Sequence, residues 1–266
     1  MRIATWNVNS VTARLPHLLG WLERARPEVV CLQEIKCAED AFPYEPLAAL
    51  GYDATVHGAG RWNGVAILST VGIDDVQRGL RDEPGFLEDG ALLPAQEQRA
   101  MAATCAGVRV WSVYVPNGRA VGHPHYAYKL DWLAALRTTA AAELAAAHTP
   151  WAVLGDFNVA PTDADVWDIA LFETSTHVTE PERRAVAALG EVGLSEVLPR
   201  PLKYDVAYTY WDYRQLHFPH NLGMRIDLVL GDDTFTGSVF DAYVDRDARK
   251  GKGTSDHAPV VVDLDR

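Results

Sequence analysis

Two short apolar runs, Val29-Val30-Cys31-Leu32 and Trp151-Ala152-Val153-Leu154, break off at polar groups: Gln33 and Glu34 after the first, Gly155, Asp156 and Asn158 after the second. Continuous apolar runs of this length, without alternation, fit strands buried on both faces. A sheet buried on both faces needs other layers to cover it. Carboxylates and amides leaving such strands at their C-terminal ends stand where open α/β sheets place ligands. The chain is therefore expected to be α/β, with its chemistry gathered at strand ends.

The rest of the sequence fills in that plan. Arg2 to Asn7 reads as a strand, followed by the polar stretch Asn7-Val8-Asn9-Ser10 and by Leu15, Leu18, Leu19 and Leu22 at helical spacing, with Pro27 closing the helix. Asn63-Gly64 is a turn into the strand Val65 to Leu68, and Leu80 to Glu97, acidic and punctuated by Gly and Pro, is expected to be a surface loop. Val108 to Val115 is a strand that carries Tyr114 to the turn Pro116-Asn117-Gly118. Alanine-rich Tyr126 to His148 is expected to be helical, ending before Pro150. Asp165 to Leu171 and Glu180 to Glu191 read as helices, the second introduced by Thr179 and Pro181. Tyr208 to Tyr213, Ile226 to Leu230 with Asp227 inside it, Val239 to Val244 and Val260 to Leu264 complete the strands. Strands alternate with helices early and crowd together late, which predicts two sheets in one core with helices outside. No repeat or linker divides residues 1–266, so a single domain is expected.

Composition narrows the function. Cys31, Cys37 and Cys105 form no CxxC pair, which argues against a disulfide framework or a zinc cluster and fits a reducing cytoplasm. The start of the chain lacks the build of a signal peptide, and no apolar run approaches the roughly 20 residues that span a bilayer. A formal net charge of −12 argues against a broad basic face. It leaves room for a local Lys and Arg cluster facing phosphates, because acids gathered at a metal site are neutralised by the cation.

Asn7, Glu34, Tyr114, Asp156, Asn158, Asp227, Asp256 and His257 all fall at or beside strand ends. Singly, each has an ordinary structural use: Asn7 as a helix cap, Tyr114 at a core edge, Asp156 or Asp256 in a turn, Glu34 as a partner of Lys36, His257 as a structural histidine. Jointly they describe a site. Oxygen donors without sulfur suit a hard cation, Mg²⁺ or Mn²⁺. An aspartate beside a histidine orients and charges the imidazole. The combination fits metal-assisted attack of water on a phosphate ester.

The segments Trp6-Asn7-Val8-Asn9-Ser10, Leu32-Gln33-Glu34-Ile35-Lys36, Tyr114-Val115-Pro116-Asn117-Gly118, Gly155-Asp156-Phe157-Asn158, Arg225-Ile226-Asp227 and Ser255-Asp256-His257-Ala258-Pro259 cover nearly the whole chain. In this order they resemble the exonuclease III family of AP endonucleases. Asn63 to Ser69 and Trp211-Asp212-Tyr213-Arg214 extend the likeness. The resemblance implies a four-layer α/β sandwich, two facing mixed β-sheets flanked by helices. It implies a monomeric DNA repair nuclease that cuts double-stranded DNA 5′ to abasic sites and trims recessed 3′ ends. By the same likeness Glu34, with Asn7 and Asp256, holds the divalent ion, Tyr114 and Asn158 contact the scissile phosphate, and Asp156 positions or deprotonates the attacking water. His257, paired with Asp227, either stabilises the phosphoryl oxygens or serves as the base, and the letters leave both roles open.

Substrate contacts carry over too. Tyr210, Met224 and Ile226 match the walls of a pocket for a flipped-out abasic sugar, although core packing would also explain them. Lys36, Asn117, Arg119, Lys250 and Lys252 are candidates for phosphate contact, the last two from a turn that could equally be a solvated hairpin. The chain departs from the family pattern at Thr12, Ile35, Glu196 and Pro199, all outside the catalytic set. Thr12 stands where an arginine is common, so one phosphate contact is either lost or moved to Arg14. A phosphodiesterase for small esters and a non-catalytic binding protein are the competing readings; the second would be expected to lack part of the catalytic set, and every member is present.

Overall fold

Successive residues of a strand face opposite sides, so a strand buried on both sides must feed two cores at once. The computed structural model, which describes residues 1–88, 90–146 and 149–266, shows this directly. Among the described residues the strands are β1 (Arg2–Asn7), β2 (Val29–Gln33), β3 (Asp53–His57), β4 (Val65–Ser69), β5 (Asp74–Arg78) and β6 (Ala100–Cys105). They continue with β7 (Val108–Tyr114), β8 (Trp151–Asp156), β9 (Ser195–Glu196), β10 (Asp227–Gly231), β11 (Val239–Val244) and β12 (Val260–Leu264). One six-stranded sheet has the order β11-β12-β1-β2-β4-β3, the other β5-β6-β7-β8-β10-β9. Each is mixed: β1 and β2 are parallel in the first, β7 and β8 in the second, and the remaining neighbours are antiparallel.

Ile3, Val29, Cys31 and Ile67 of the first sheet meet Ala103, Val110, Leu154 and Val229 of the second in a central core. The alternate residues Ala4, Trp6, Val30 and Leu32 face outward under Leu18, Trp21 and Leu22 of helix α1 (Val11–Ala25). On the far side Trp111, Val113, Trp151 and Val153 pack beneath Trp132, Leu133 and Leu136. Those three belong to the long helix Pro124–Leu144, α3, which follows the short α2 (Tyr44–Ala48). The four-layer sandwich expected from the sequence is thus formed. Polar groups also cross the inner core: buried Gln33 donates to Thr5 Oγ1 at 3.0 Å and to Ser112 Oγ at 3.0 Å, tying the sheets together.

Several sequence expectations need correction. Leu80 to Glu97 is not merely a surface loop, because Leu80 and Phe86 are buried against α3 and Glu83 accepts from Trp132 Nε1 at 2.8 Å. Asp165 to Leu171 is no helix; it holds two 3₁₀ turns, Asp163–Asp165 and Ile169–Leu171. Arg225 holds the Asp165 carboxylate there through two hydrogen bonds, at 2.6 and 3.0 Å. Tyr208 to Tyr213 makes only isolated bridges at Tyr210, and Asp227 opens β10 rather than lying inside it. The expected 180–191 helix is shorter, α4 (Glu180–Ala187), capped as anticipated by Thr179 in a reciprocal box with Glu182. Residues 147 and 148, at the end of the helix expected from Tyr126 to His148, lie outside the described residues.

Candidate active site

The strand ends meet at one cleft of about 470 Å³ between the sheets' edges. β1 and β2 run parallel and deliver Asn7 and Glu34 to the same end. In the other sheet β7 and β8, also parallel, deliver Tyr114 beside Asp156. β10 enters antiparallel with Asp227 in register with Asp156, so its first residue stands beside the last of β8. His257 lies just before β12, which pairs with β1. Gly155 makes the crossing possible: a Cβ there would lie 1.9 Å from the Val113 carbonyl oxygen, at φ 157°.

Asn7 is fully buried, and its Nδ2 donates to Glu34 Oε1 and to Asp156 Oδ2, each at 2.9 Å. One amide therefore links the two sheets' carboxylates. Burial pushes the Glu34 carboxyl up, but Lys36, 2.6 Å from Oε2, and the Asn7 amide outweigh it, leaving Glu34 below its ordinary value and ionised. Among the described residues Asp156 has only the more distant His257 ring, 3.8 Å away, as its cation. Burial, with Asp227 and Glu34 adding to it against His257, pushes its carboxyl up to about 7. Asp156 Oδ1 is held by the Asn158 backbone N–H at 2.9 Å, and Oδ2 lies 3.8 Å from His257 Nε2.

His257 Nδ1 is 2.8 Å from Asp227 Oδ2, both residues buried. Burial alone would lower the imidazole, but Asp227 and Asp156 raise it to about 10. At neutral pH the ring is thus an imidazolium with Nδ1–H on Asp227 and Nε2–H turned toward the cleft side of Asp156. Tyr210 packs its ring 5.0 Å from that of His257. Burial, together with the Glu34 charge, holds the Tyr114 phenol well above its usual range, so it is a hydrogen-bond donor there.

The structure brings Asn7, Glu34, Tyr114, Asp156, Asn158, Asp227, Asp256 and His257 together, and Asn117, Arg119, Tyr210, Met224 and Ile226 line the same cleft. Lys36 is turned inward, donating to Asn9 Oδ1 at 2.7 Å as well as to Glu34. Arg119 pairs with Glu88 at 2.6 Å at the exposed rim. Lys250 and Lys252 are not brought to the cleft; they sit on an exposed turn, where Lys250 pairs with Asp247. Sequence reasoning passed over two residues. Asn9 bridges Lys36 and Asp256, its Nδ2 donating to Asp256 Oδ1 at 3.0 Å. His177 sits within 3.0 Å of Asn158 Oδ1 and 3.2 Å of Asn117 Nδ2, and lines the cleft with them. Asn9 lay within a quoted segment, but nothing in Ser175-Thr176-His177-Val178 marked a site.

Among the described residues no three Asp, Glu, His or Cys side chains converge as a ready metal cluster. Oxygen donors for an ion include the Glu34 and Asp256 carboxylates lining the cleft and the buried Asn7 amide beside Glu34. An ion that keeps most of its waters and takes one or two carboxylates, as Mg²⁺ does, fits this all-oxygen set.

A two-sheet sandwich with an acid, amide and imidazolium cleft at the strand ends defines a phosphoesterase of one class. Residues 4–257 match the Endonuclease/Exonuclease/phosphatase family, and the chain belongs to it. Within that family it is 30% identical to exodeoxyribonuclease III of Haemophilus influenzae, over 98% of each chain. A 3′-5′ exonuclease from Neisseria meningitidis is 37% identical with a TM-score of 0.91 over the full length of both chains. A further structure of the Neisseria protein, bound to product DNA hairpin and described as a 3′ phosphatase, gives 36% and 0.91, again over both full chains. An AP endonuclease from Archaeoglobus fulgidus is 31% identical, with a TM-score of 0.89 over both full chains.

Proposed function

We propose that this chain is a Mg²⁺-dependent DNA repair nuclease that hydrolyses phosphate esters 5′ to abasic sites and at recessed 3′ ends of duplex DNA. The observation that carries the proposal is the Asp156–Asn7–Glu34 bridge facing the Asp227–His257 pair across a few ångström. In this reading Glu34, with Asn7 and Asp256, would hold the ion, which would supply polarisation of a phosphoryl oxygen and neutralisation of its charge. Asp156, raised to about 7, is poised to orient and deprotonate water. The His257 imidazolium and the Tyr114 hydroxyl donate to the phosphoryl oxygens, and Asn158 and Asn117 fix the phosphate beside them. Tyr210, Met224 and Ile226 supply the apolar wall for a deoxyribose. Three free, buried thiols support a reducing cytoplasm as the place of work.

Work at 3′ ends alone is the second reading. It is favoured by the two structures at 37% and 36% identity, described as a 3′-5′ exonuclease and a 3′ phosphatase. One assay tests both: three labelled duplexes, carrying an internal abasic analogue, a recessed 3′ hydroxyl end or a 3′ phosphate, each with Mg²⁺ or with chelator. Mg²⁺-dependent cleavage of all three supports the full proposal, and loss of only the abasic cut selects the second reading. No Mg²⁺-dependent hydrolysis of any of them would overturn both.

A further inference from the structure

Beneath the wall that carries Asn117, Asn158 and His177 lies an ion pair with no solvent exposure, Lys129 of α3 and Glu182 of α4. Lys129 Nζ donates to Glu182, to the Asn158 carbonyl at 2.7 Å and, at longer range, to the Asn117 carbonyl at 3.4 Å and Thr176 Oγ1 at 3.3 Å. Glu182 accepts the His177 backbone N–H on both oxygens at 3.0 Å, and also the Thr176 and Thr179 hydroxyls. One cation and one anion thus hold three separate loops by their main chain, and each loop presents a polar residue to the cleft.

The pair is an expensive way to join two helices, since burying each charge costs several kcal/mol and apolar side chains of equal volume often do as well or better. α3 and α4 are already joined by apolar contact, with Val186 and Leu189 in the same core as Leu133 and Leu136. The loops, in contrast, are strained: Asn158 has φ 51° and His177 φ 87°, both in the left-handed region. Fit is tight as well. A Cβ on Gly118, which has φ 92°, would lie 2.7 Å from Thr176 Oγ1 and 3.3 Å from Lys129 Cδ. The strained backbone next to the site is therefore where the pair spends its hydrogen bonds.

We propose that Lys129 and Glu182 are positioning residues that set the spacing of Asn117, Asn158 and His177 along the phosphate side of the cleft. This rests on the nuclease reading above. They act from behind the wall, touching neither the Glu34 and Asn7 end of the cleft nor the His257–Asp227 pair.

The test is the double variant Lys129→Met/Glu182→Leu, compared with wild type by four measurements: melting temperature, Mg²⁺ affinity from tryptophan fluorescence, kcat and KM on a duplex with a recessed 3′ end, and NMR signals of the Asn158 side-chain amide and His177 ring. Expected are a cooperative melt, Mg²⁺ affinity within about twofold, a kcat lowered about 10- to 100-fold with KM changed less than about threefold, and displaced Asn158 and His177 signals. If the double variant does not fold, Glu182→Gln, which keeps the shape and one accepting oxygen, should lower kcat about 10-fold on its own. A folded variant with wild-type kcat and unmoved signals overturns the proposal, as does a kcat loss that only follows weakened metal binding. Inactive wild-type protein overturns the nuclease reading instead, and the NMR displacement then decides the positioning role by itself.

Discussion

Replacing Asp227 with asparagine removes a charge while keeping the shape and the acceptor for His257 Nδ1. The imidazole is raised from 6.5 to about 10, which corresponds to about 5 kcal/mol of preference for the charged ring. Both carboxylates act against burial, and Asp227 at 2.8 Å is closer than Asp156 at 3.8 Å, so it carries the larger share, at least about 3 kcal/mol. Asp227→Asn should therefore bring the ring down by roughly 2, to about 8. A ring needed as imidazolium then leaves activity near wild type at about pH 7 and costs about 10-fold at about pH 9, where the wild type still holds its proton. The assay is single-turnover cleavage of a recessed duplex at saturating Mg²⁺ across this range, with the ring titrated by NMR. Stability moves in parallel: the raised ring stabilises the folded protein below about 6.5, and that gain is lost as pH rises through about 10, so wild type and variant should differ most in acid and converge in alkali. An Asp227→Asn enzyme that becomes faster at neutral pH would refute the reasoning, because a gain there means that the neutral ring acts as the base.

Asp156→Asn and His257→Ala should each lower turnover at least about 100-fold, measured as kcat on the same duplex; near-normal turnover in either removes that residue from the chemistry. Gly155→Ala, whose methyl would run into the Val113 carbonyl at 1.9 Å, should lose about 3 kcal/mol or more in denaturant unfolding, and an unchanged midpoint would mean that the strand relaxes freely. Buried His125, lowered to about 4 by burial and by Arg99 and Arg119, accepts from the Gly118 N–H at 3.1 Å. Its folded value lies below the unfolded one, so it contributes stability above about pH 6.5, up to about 3 kcal/mol, that is lost as pH falls through about 4. His125→Asn keeps the acceptor without titrating, so its stability should fall less over that window, and parallel curves for the two proteins would count against this. Chelation should stop hydrolysis while leaving the fold intact, because Lys36 and Asn7 already satisfy Glu34; a melt that collapses without Mg²⁺ would contradict that pairing.

What could be read from the letters was local. The strands that feed the site announce themselves because apolar runs buried on both faces stop at polar residues, as at Leu32 to Glu34 and Leu154 to Asp156. Edge and alanine-rich strands give no such mark. β5 is mostly exposed and polar, and β6, Ala100 to Cys105, has the composition of a helix yet pairs with β7 along its whole length. Asp165 to Leu171 fails the other way, since Arg225 from a distant segment takes the Asp165 carboxylate and fixes the chain in a tighter turn. The register that sets Asp227 beside Asp156, and the three-loop clamp under His177, depend on pairings across 71 and 53 residues that no local pattern encodes.

The departures from the family pattern become intelligible only in three dimensions. Ile35 is fully buried, and Gly58 and Gly64 make room for it: a Cβ on Gly64 would lie 2.5 Å from Ile35 Cγ1. Glu196 reaches Arg225, the residue that also clamps Asp165 and leads into Ile226 and Asp227. Arg14 does not replace an arginine at position 12 by pointing into the cleft. Its Nη2 donates to the Tyr213 hydroxyl at 3.1 Å, and that hydroxyl donates in turn to the Thr254 carbonyl at 2.8 Å, two residues before Asp256. Arg14 is thereby tied to the loop that carries Ser255 and Asp256. Ile35 and Glu196 thus fall in packing and support, and nothing in the structure explains Pro199. The cleft's charged and amide groups have less freedom, because Glu34 and Asp156 both accept from Asn7 and His257 is held by Asp227.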